Sequence, residues 1–188
     1  MPRISGVREQ RQQPRYDVLV RDDGTVAVSS RTTLFGNSNL GTTSKTNMEV
    51  AGQLASDNSY TILAVRNYLS LEDGTLYSQV ERGLYFTLEV ARKVQMQAPV
   101  WYAGAGGGLT GYDSTASTHH ITLGVPSHEA ILKLSRSITL PPRQHFAWIY
   151  DWYTMSSSGE DARSSLNADT SSKTIMAMID GIETRDVL

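Results

Sequence analysis

The chain has no cysteine, which removes disulfides and thiolate metal sites at once. It also has no apolar run approaching 18 residues, so no helix read from it spans a membrane. Met1 to Tyr16 has no apolar stretch, so it is not a signal peptide. Charge of one sign is missing too. Lys and Arg total 17 against 19 Asp and Glu, a formal net charge of -2. That balance gives no whole-chain electrostatic footprint for nucleic acid. Charged residues make up only 19% of the sequence, and Ser, Thr, Asn and Gly fill the gap, a composition suited to turns and polar strand faces. A length of 188 residues is one domain's worth, enough to bury a core without staples.

The chain then reads as short strands between turns. Residues 1–15 carry Arg3, Arg8, Arg11 and Arg15 against Glu9 alone, with Gln10, Gln12, Gln13 and Pro14 and no apolar periodicity. This predicts a flexible basic N-terminal arm, with a single β domain over residues 16–188. Tyr16–Val20 and Thr25–Ser29 flank Asp22-Asp23-Gly24, a hairpin signal. Ser30–Asn47 is rich in Thr, Ser, Asn and Gly and reads as mostly loop. Tyr60–Leu71 has a helix-compatible pattern, with Ser56, Asp57 and Asn58 as an N-cap, but its β-formers Thr61, Ile62, Val65 and Tyr68 and the turn Glu72-Asp73-Gly74 favour a strand. Further strands are expected within Gly83–Val94 and at Ile121–Leu123, Ala130–Leu134, Ile138–Leu140, Phe146–Tyr153 and Thr174–Ile179, with a short apolar piece at Pro99–Tyr102. Met155–Thr170 reads as a polar loop and Glu183–Asp186 as a charged tail. Eight or more antiparallel strands at this spacing predict an all-β sandwich, barrel or jelly roll.

The candidate chemistry fails on stated requirements. Gly106, Gly108 and Gly111 form a G-x-G-x-x-G, but no helix follows and no Lys-Ser/Thr pair is present, so a phosphate cradle lacks its parts. Glycine there suits a β–β connection. His119, His120, His128 and Glu129 invite comparison with a metal-binding cupin, with His145 as a further ligand. Adjacent His119 and His120 would point to opposite faces of a strand, so they do not share one ion, and no metal or other cofactor is assigned. Asp151, Glu160, Asp161 and Asp180 are the candidate carboxylates. Asp151 lies in Trp148-Ile149-Tyr150-Asp151-Trp152-Tyr153, where Trp148, Tyr150 and Trp152 share one face and are candidate intersubunit or ligand-stacking aromatics. No G-x-S-x-G elbow occurs. No catalytic residue is assigned.

Several segments together carry a family texture. They are Gly52–Tyr60, Gly83–Leu88, Pro99–Tyr102 with the glycines after it, Ile138–Phe146 and Ile179–Val187. In this order they resemble the single jelly-roll capsid proteins of icosahedral phages with an internal membrane, above all the small major capsid protein of sphaerolipovirus-like thermophilic phages. The resemblance covers roughly residues 48–188. It implies a non-enzymatic virion subunit, assembled in the host cytoplasm, whose upright jelly roll tiles a shell with copies of itself and a second, larger capsid protein over a lipid membrane. Halophilic relatives are strongly acidic, and this chain is not. Under this reading Arg3, Arg8, Arg11 and Arg15 would contact anionic lipid or nucleic acid, the latter without sequence specificity. The alternative is a carbohydrate- or receptor-binding β module of a spike or tail.

Overall fold

The computed structural model describes residues 8–21, 29–36, 40, 45–71, 74–105, 131–153, 162–168 and 173–186. The hairpin turn at Asp22-Asp23-Gly24, the expected strand at Ile121–Leu123, Arg3, and the glycine run from Gly106 onward lie outside them.

Two antiparallel sheets face each other. The first is built on β4 (Asn58–Leu71) and β9 (Lys173–Asp186), which pair along their whole lengths, from Asn58 opposite Arg185 to Leu71 opposite Lys173. The free edge of β9 is shared by β1 (Arg8–Gln12) and β2 (Arg15–Arg21), and β7 (Leu132–Leu140) lies on the far side of β4. The second sheet runs in the order β3 (Arg31–Leu34), β8 (Phe146–Trp152), β5 (Leu84–Val90) and β6 (Lys93–Pro99). The all-β sandwich expected from the sequence is therefore present. Its pairs are nested: β2 with β9, β3 with β8, β4 with β7 and β5 with β6.

Period-two alternation builds the core. Tyr60, Ile62, Val65, Leu69 and Leu71 point inward from β4, and Ile175, Ala177 and Ile179 from β9. A register shift between Ile62 and Ala64 resets the alternation, which is why the β4 pattern also reads partly as a helix. From the other sheet come Leu84, Phe86 and Leu88 of β5, and Phe146, Trp148 and Tyr150 of β8, all fully buried. The Phe86 and Trp148 rings stack with centroids 4.5 Å apart.

Three expectations change. Arg8–Gln12, expected within the flexible arm, is instead β1, a strand of the first sheet. Helix α1 (Gly74–Gly83) begins where a turn was expected to end; Leu76 and Val80, one helical turn apart, are its buried anchors. Helix α2 (Ala162–Ala168) lies within the expected polar loop, with Leu166 buried; the Leu166 carbonyl accepts a hydrogen bond from Lys173 Nζ at 2.9 Å. In addition, the charged tail is the end of β9, and β3 falls within Ser30–Asn47.

The strand expected within Gly83–Val94 is broken by a two-residue hairpin turn. Ala91 and Arg92 have φ of 54° and 61°, the left-handed pair that a type I′ turn demands. The Ala91 amide also donates to the His145 carbonyl at 2.9 Å. Neither residue suits this backbone, and both are exposed. Replacing Ala91→Asn and Arg92→Gly together is expected to stabilise the protein by about 1 kcal/mol, raising the melting temperature by roughly 2–4 °C. Thermal denaturation followed by circular dichroism checks it.

Candidate interaction surfaces

Where β1 meets β2, the arginines read as a lipid or nucleic-acid contact turn inward. Glu183 is fully buried on β9 and takes hydrogen bonds from Arg11 Nε, Arg15 Nη2 and, at 3.0 Å, Asn58 Nδ2. Arg15 also donates to the Asn47 carbonyl at 3.0 Å and is itself buried. Tyr60 shares its hydroxyl between the carbonyls of Gln13 and Ile179, at 2.6 and 3.0 Å. Arg11 and Arg15 thus fasten the first two strands to the sandwich. The reading of them as free surface cations is corrected: a buried carboxylate needs paired donors, and these two arginines supply them. Arg8 faces Asp186 in the ladder, and Arg185 Nε donates to Glu9 Oε2 at 2.8 Å.

Burial by itself would raise the Glu183 carboxyl pKa. The hydrogen bonds and charges of Arg11 and Arg15 outweigh it and hold the group below its ordinary value of 4.5. A depressed folded pKa means that Glu183 contributes stability fully above 4.5, and that this is lost as pH falls through the lower folded value. Glu183→Gln is therefore expected to be less stable than the parent near neutrality, with the gap closing in acid. Urea midpoints of both proteins from about pH 7 to about pH 3 give the test.

The aromatic strand also differs from expectation. Trp148 and Tyr150 are fully buried and Trp152 nearly so; all three line the core and none is available to a ligand or a neighbouring subunit. The reason is geometric. The inward face of β8 meets the first sheet, and the three largest side chains fill that space. Tyr150 does have a positioning role. Its hydroxyl donates to Asn67 Oδ1 at 2.8 Å, and Asn67 Nδ2 donates to the carbonyls of Val100 and Ala103 at 3.2 and 3.3 Å. Burial, the largest influence, pushes the Tyr150 hydroxyl pKa well up, so it stays a donor. The buried chain Tyr150–Asn67 pins the 3₁₀ turn Val100–Ala103, read from sequence as a short apolar piece.

That turn buries Val100 and Ala103 and pushes Trp101 and Tyr102 outward, at 56% and 53% exposure, with their rings edge to face. A second edge-to-face pair, Tyr85 and Tyr153, lies on the outer face of the second sheet, with centroids 4.8 Å apart. Among the described residues Trp101, Tyr102 and Tyr153 are the exposed aromatics, and Tyr85 beside Tyr153 is half-buried. A tryptophan and tyrosine two and three residues after a proline and shortly ahead of glycines were the available signal for a turn that displays side chains.

The outer face of the first sheet is different. Met176 and Met178 alternate with the buried Ile175, Ala177 and Ile179 and so point outward. Tyr16 and Arg66 stand opposite Met178, and Tyr68 opposite Met176. Ile182 continues the band, Leu63 is exposed at the β4 bulge, and Arg66 pairs with Asp180 at 2.6 Å. His119, His120, His128, Glu129, Glu160 and Asp161 lie outside the described residues. Among the described residues, no group of three or more His, Asp or Glu side chains could hold a metal ion, and no helix is long and apolar enough to cross a membrane. No family model matches the sequence, and no curated protein or solved structure matches it.

Proposed function

We propose that this chain is a structural shell subunit, a single jelly-roll capsid protein that self-associates. The observation that carries this reading is the nested strand pairing. Strands β2–β9 pair as 2 with 9, 3 with 8, 4 with 7 and 5 with 6, as one antiparallel ribbon would if rolled into two four-stranded sheets. Rolled ribbons of this kind are jelly rolls, an architecture of viral shells as well as lectins and cupins. Their edges are few and short, so copies can pack side by side without runaway strand pairing.

The outer face of the first sheet suits such packing. Its band of Tyr16, Leu63, Tyr68, Met176, Met178 and Ile182 has the tyrosine and methionine bias of interface centres. We assign this band to contact with a second copy. A larger capsid protein and an internal membrane complete the proposed setting, with the virion as the location. The test is negative-stain microscopy of concentrated protein with mass measured in parallel. Dimers or larger rings, and sheets or shells at high concentration, are expected. Met178→Glu should abolish them and leave a folded monomer. A parent protein that stays strictly monomeric at every concentration overturns the reading.

A further inference from the structure

Four residues stand in one line across the outer face of the second sheet. Arg31 on β3 faces Asp151 on β8, Asp151 faces Tyr85 on β5, and Tyr85 faces Pro99 on β6. Facing residues in adjacent strands share a side of the sheet. Their chain neighbours Phe86, Tyr150 and Trp152 are in the core, so this line points away from it. Three interstrand steps of about 4.8 Å make it roughly 14 Å long. Tyr153, 51% exposed, packs edge to face on Tyr85 and widens the line. Two residues beyond Pro99 stands Trp101, on the turn that Asn67 holds from inside.

From this line we infer a binding site for a neutral oligosaccharide, centred on Tyr85. A sugar ring has an apolar C–H face bordered by hydroxyls. It therefore calls for flat aromatic surfaces and hydrogen-bonding groups side by side at one level. Tyr85, Tyr153 and Trp101 supply the surfaces, with Pro99 between Tyr85 and the turn. Asp151 supplies acceptors and Arg31 supplies donors. At 3.7 Å the Arg31–Asp151 pair is too long to be a hydrogen bond, so each group keeps bonding capacity for a hydroxyl. The pair is also charge-neutral as a unit, which sets no field for the phosphates of nucleic acid or lipid. The line accommodates on the order of three rings. This site does not rest on the shell reading, since a capsid subunit or a lone module could carry it.

The experiment uses the full chain with cellotetraose, chitotetraose, maltotetraose and mannotetraose as probes, each titrated by calorimetry and by tryptophan emission. Trp148 and Trp152 are buried, so Trp101 reports on the surface. At least one probe is expected to bind saturably with a change in emission. Tyr85→Ala and Asp151→Asn should each weaken that binding about tenfold, and Trp101→Phe should remove the optical signal. Asp151→Asn changes an outer-face side chain and serves where Tyr85→Ala disturbs folding. Absence of saturable binding for all four probes overturns the inference, as does binding unaffected by both Tyr85→Ala and Asp151→Asn. So does a result in which those variants alter self-association and leave sugar binding intact, because the line would then be a protein contact. Failure of the shell reading shows separately, as a monomeric mass.

Discussion

Gly181→Ala is expected to lower stability by about 3–5 kcal/mol, a large share of the roughly 5–15 kcal/mol that holds a typical domain folded. Gly181 lies on β9 opposite Ile62, where β4 carries its bulge. A Cβ at this position would sit 2.0 Å from the Thr61 carbonyl oxygen, 2.7 Å from the Tyr60 ring and 2.9 Å from the Thr61 carbonyl carbon. Two of these atoms are backbone, so no rotamer change relieves the overlap. The strands must part. They form the central pair of the first sheet, and Tyr60 holds both Gln13 and Ile179 through its hydroxyl. Overpacking alone costs about 1–3 kcal/mol, and a broken ladder with displaced hydrogen bonds adds to it. Gly36→Ala is the control. Its nearest neighbour would be the Thr33 oxygen at 3.9 Å, an ordinary contact, and the expected change is within about 0.5 kcal/mol. Urea denaturation of both variants decides. Equal midpoints would mean that β4 and β9 can separate locally at little cost.

The same glycine shows what the sequence makes legible. A lone glycine between Ile179 and Ile182 in an alternating run is a sign of close backbone approach, readable in advance. Strands with a one-sided apolar pattern are equally plain: Tyr16–Val20 and Phe146–Tyr153 match the observed strands to within a residue, and the strand expected within Gly83–Val94 contains β5, Leu84–Val90, ahead of its turn. What fails is structure with no apolar signature. Arg8-Glu9-Gln10-Arg11-Gln12 carries no hydrophobic residue, and its ladder partners Ile182 to Asp186 are mostly polar. Both halves of that pairing read as tails, because the bonds that hold them are backbone ladders and ion pairs to residues about 170 positions away in sequence. The Ala91-Arg92 turn fails for a different reason. Tertiary pairing of β5 with β6 imposes a backbone that neither residue prefers.

The candidate surfaces were legible in kind but not in position. Alternation divides Phe146–Tyr153 into two faces, and both faces contain aromatics. Which one is core depends on where the other sheet lies, and a local pattern does not carry that. The structure turns Trp148, Tyr150 and Trp152 inward and leaves Asp151 and Tyr153 outside. Tyr85, Asp151 and Pro99 are remote in sequence and meet only through register. Asn67 was unreadable as a positioning residue. Its role depends on a hydroxyl 83 positions later and on the turn carbonyls at Val100 and Ala103.

Glu183→Ala is the second large effect, and it tests the corrected role of the N-terminal arginines. The substitution removes the partner of Arg11 and Arg15 and the acceptor for Asn58. Arg15 is buried, so its charge would stay in the interior with only the Asn47 carbonyl of those two anchors left. Breaking a buried pair from one side costs about 3–5 kcal/mol, because the remaining charge is left uncompensated. Arg11, partly exposed, can turn to water, so its share is smaller. The damage should also be local before it is global. β1 has no apolar residue to hold it, so its amides should lose hydrogen-exchange protection first, ahead of those of β4 and β8. Removing both sides of the pair, with Arg15→Met and Glu183→Met together, should recover much of the loss, since an apolar pair of similar volume needs no compensation. If Glu183→Ala leaves the urea midpoint and the exchange of residues 8–12 unchanged, the arginines are surface groups after all, and their availability to anionic lipid or nucleic acid returns.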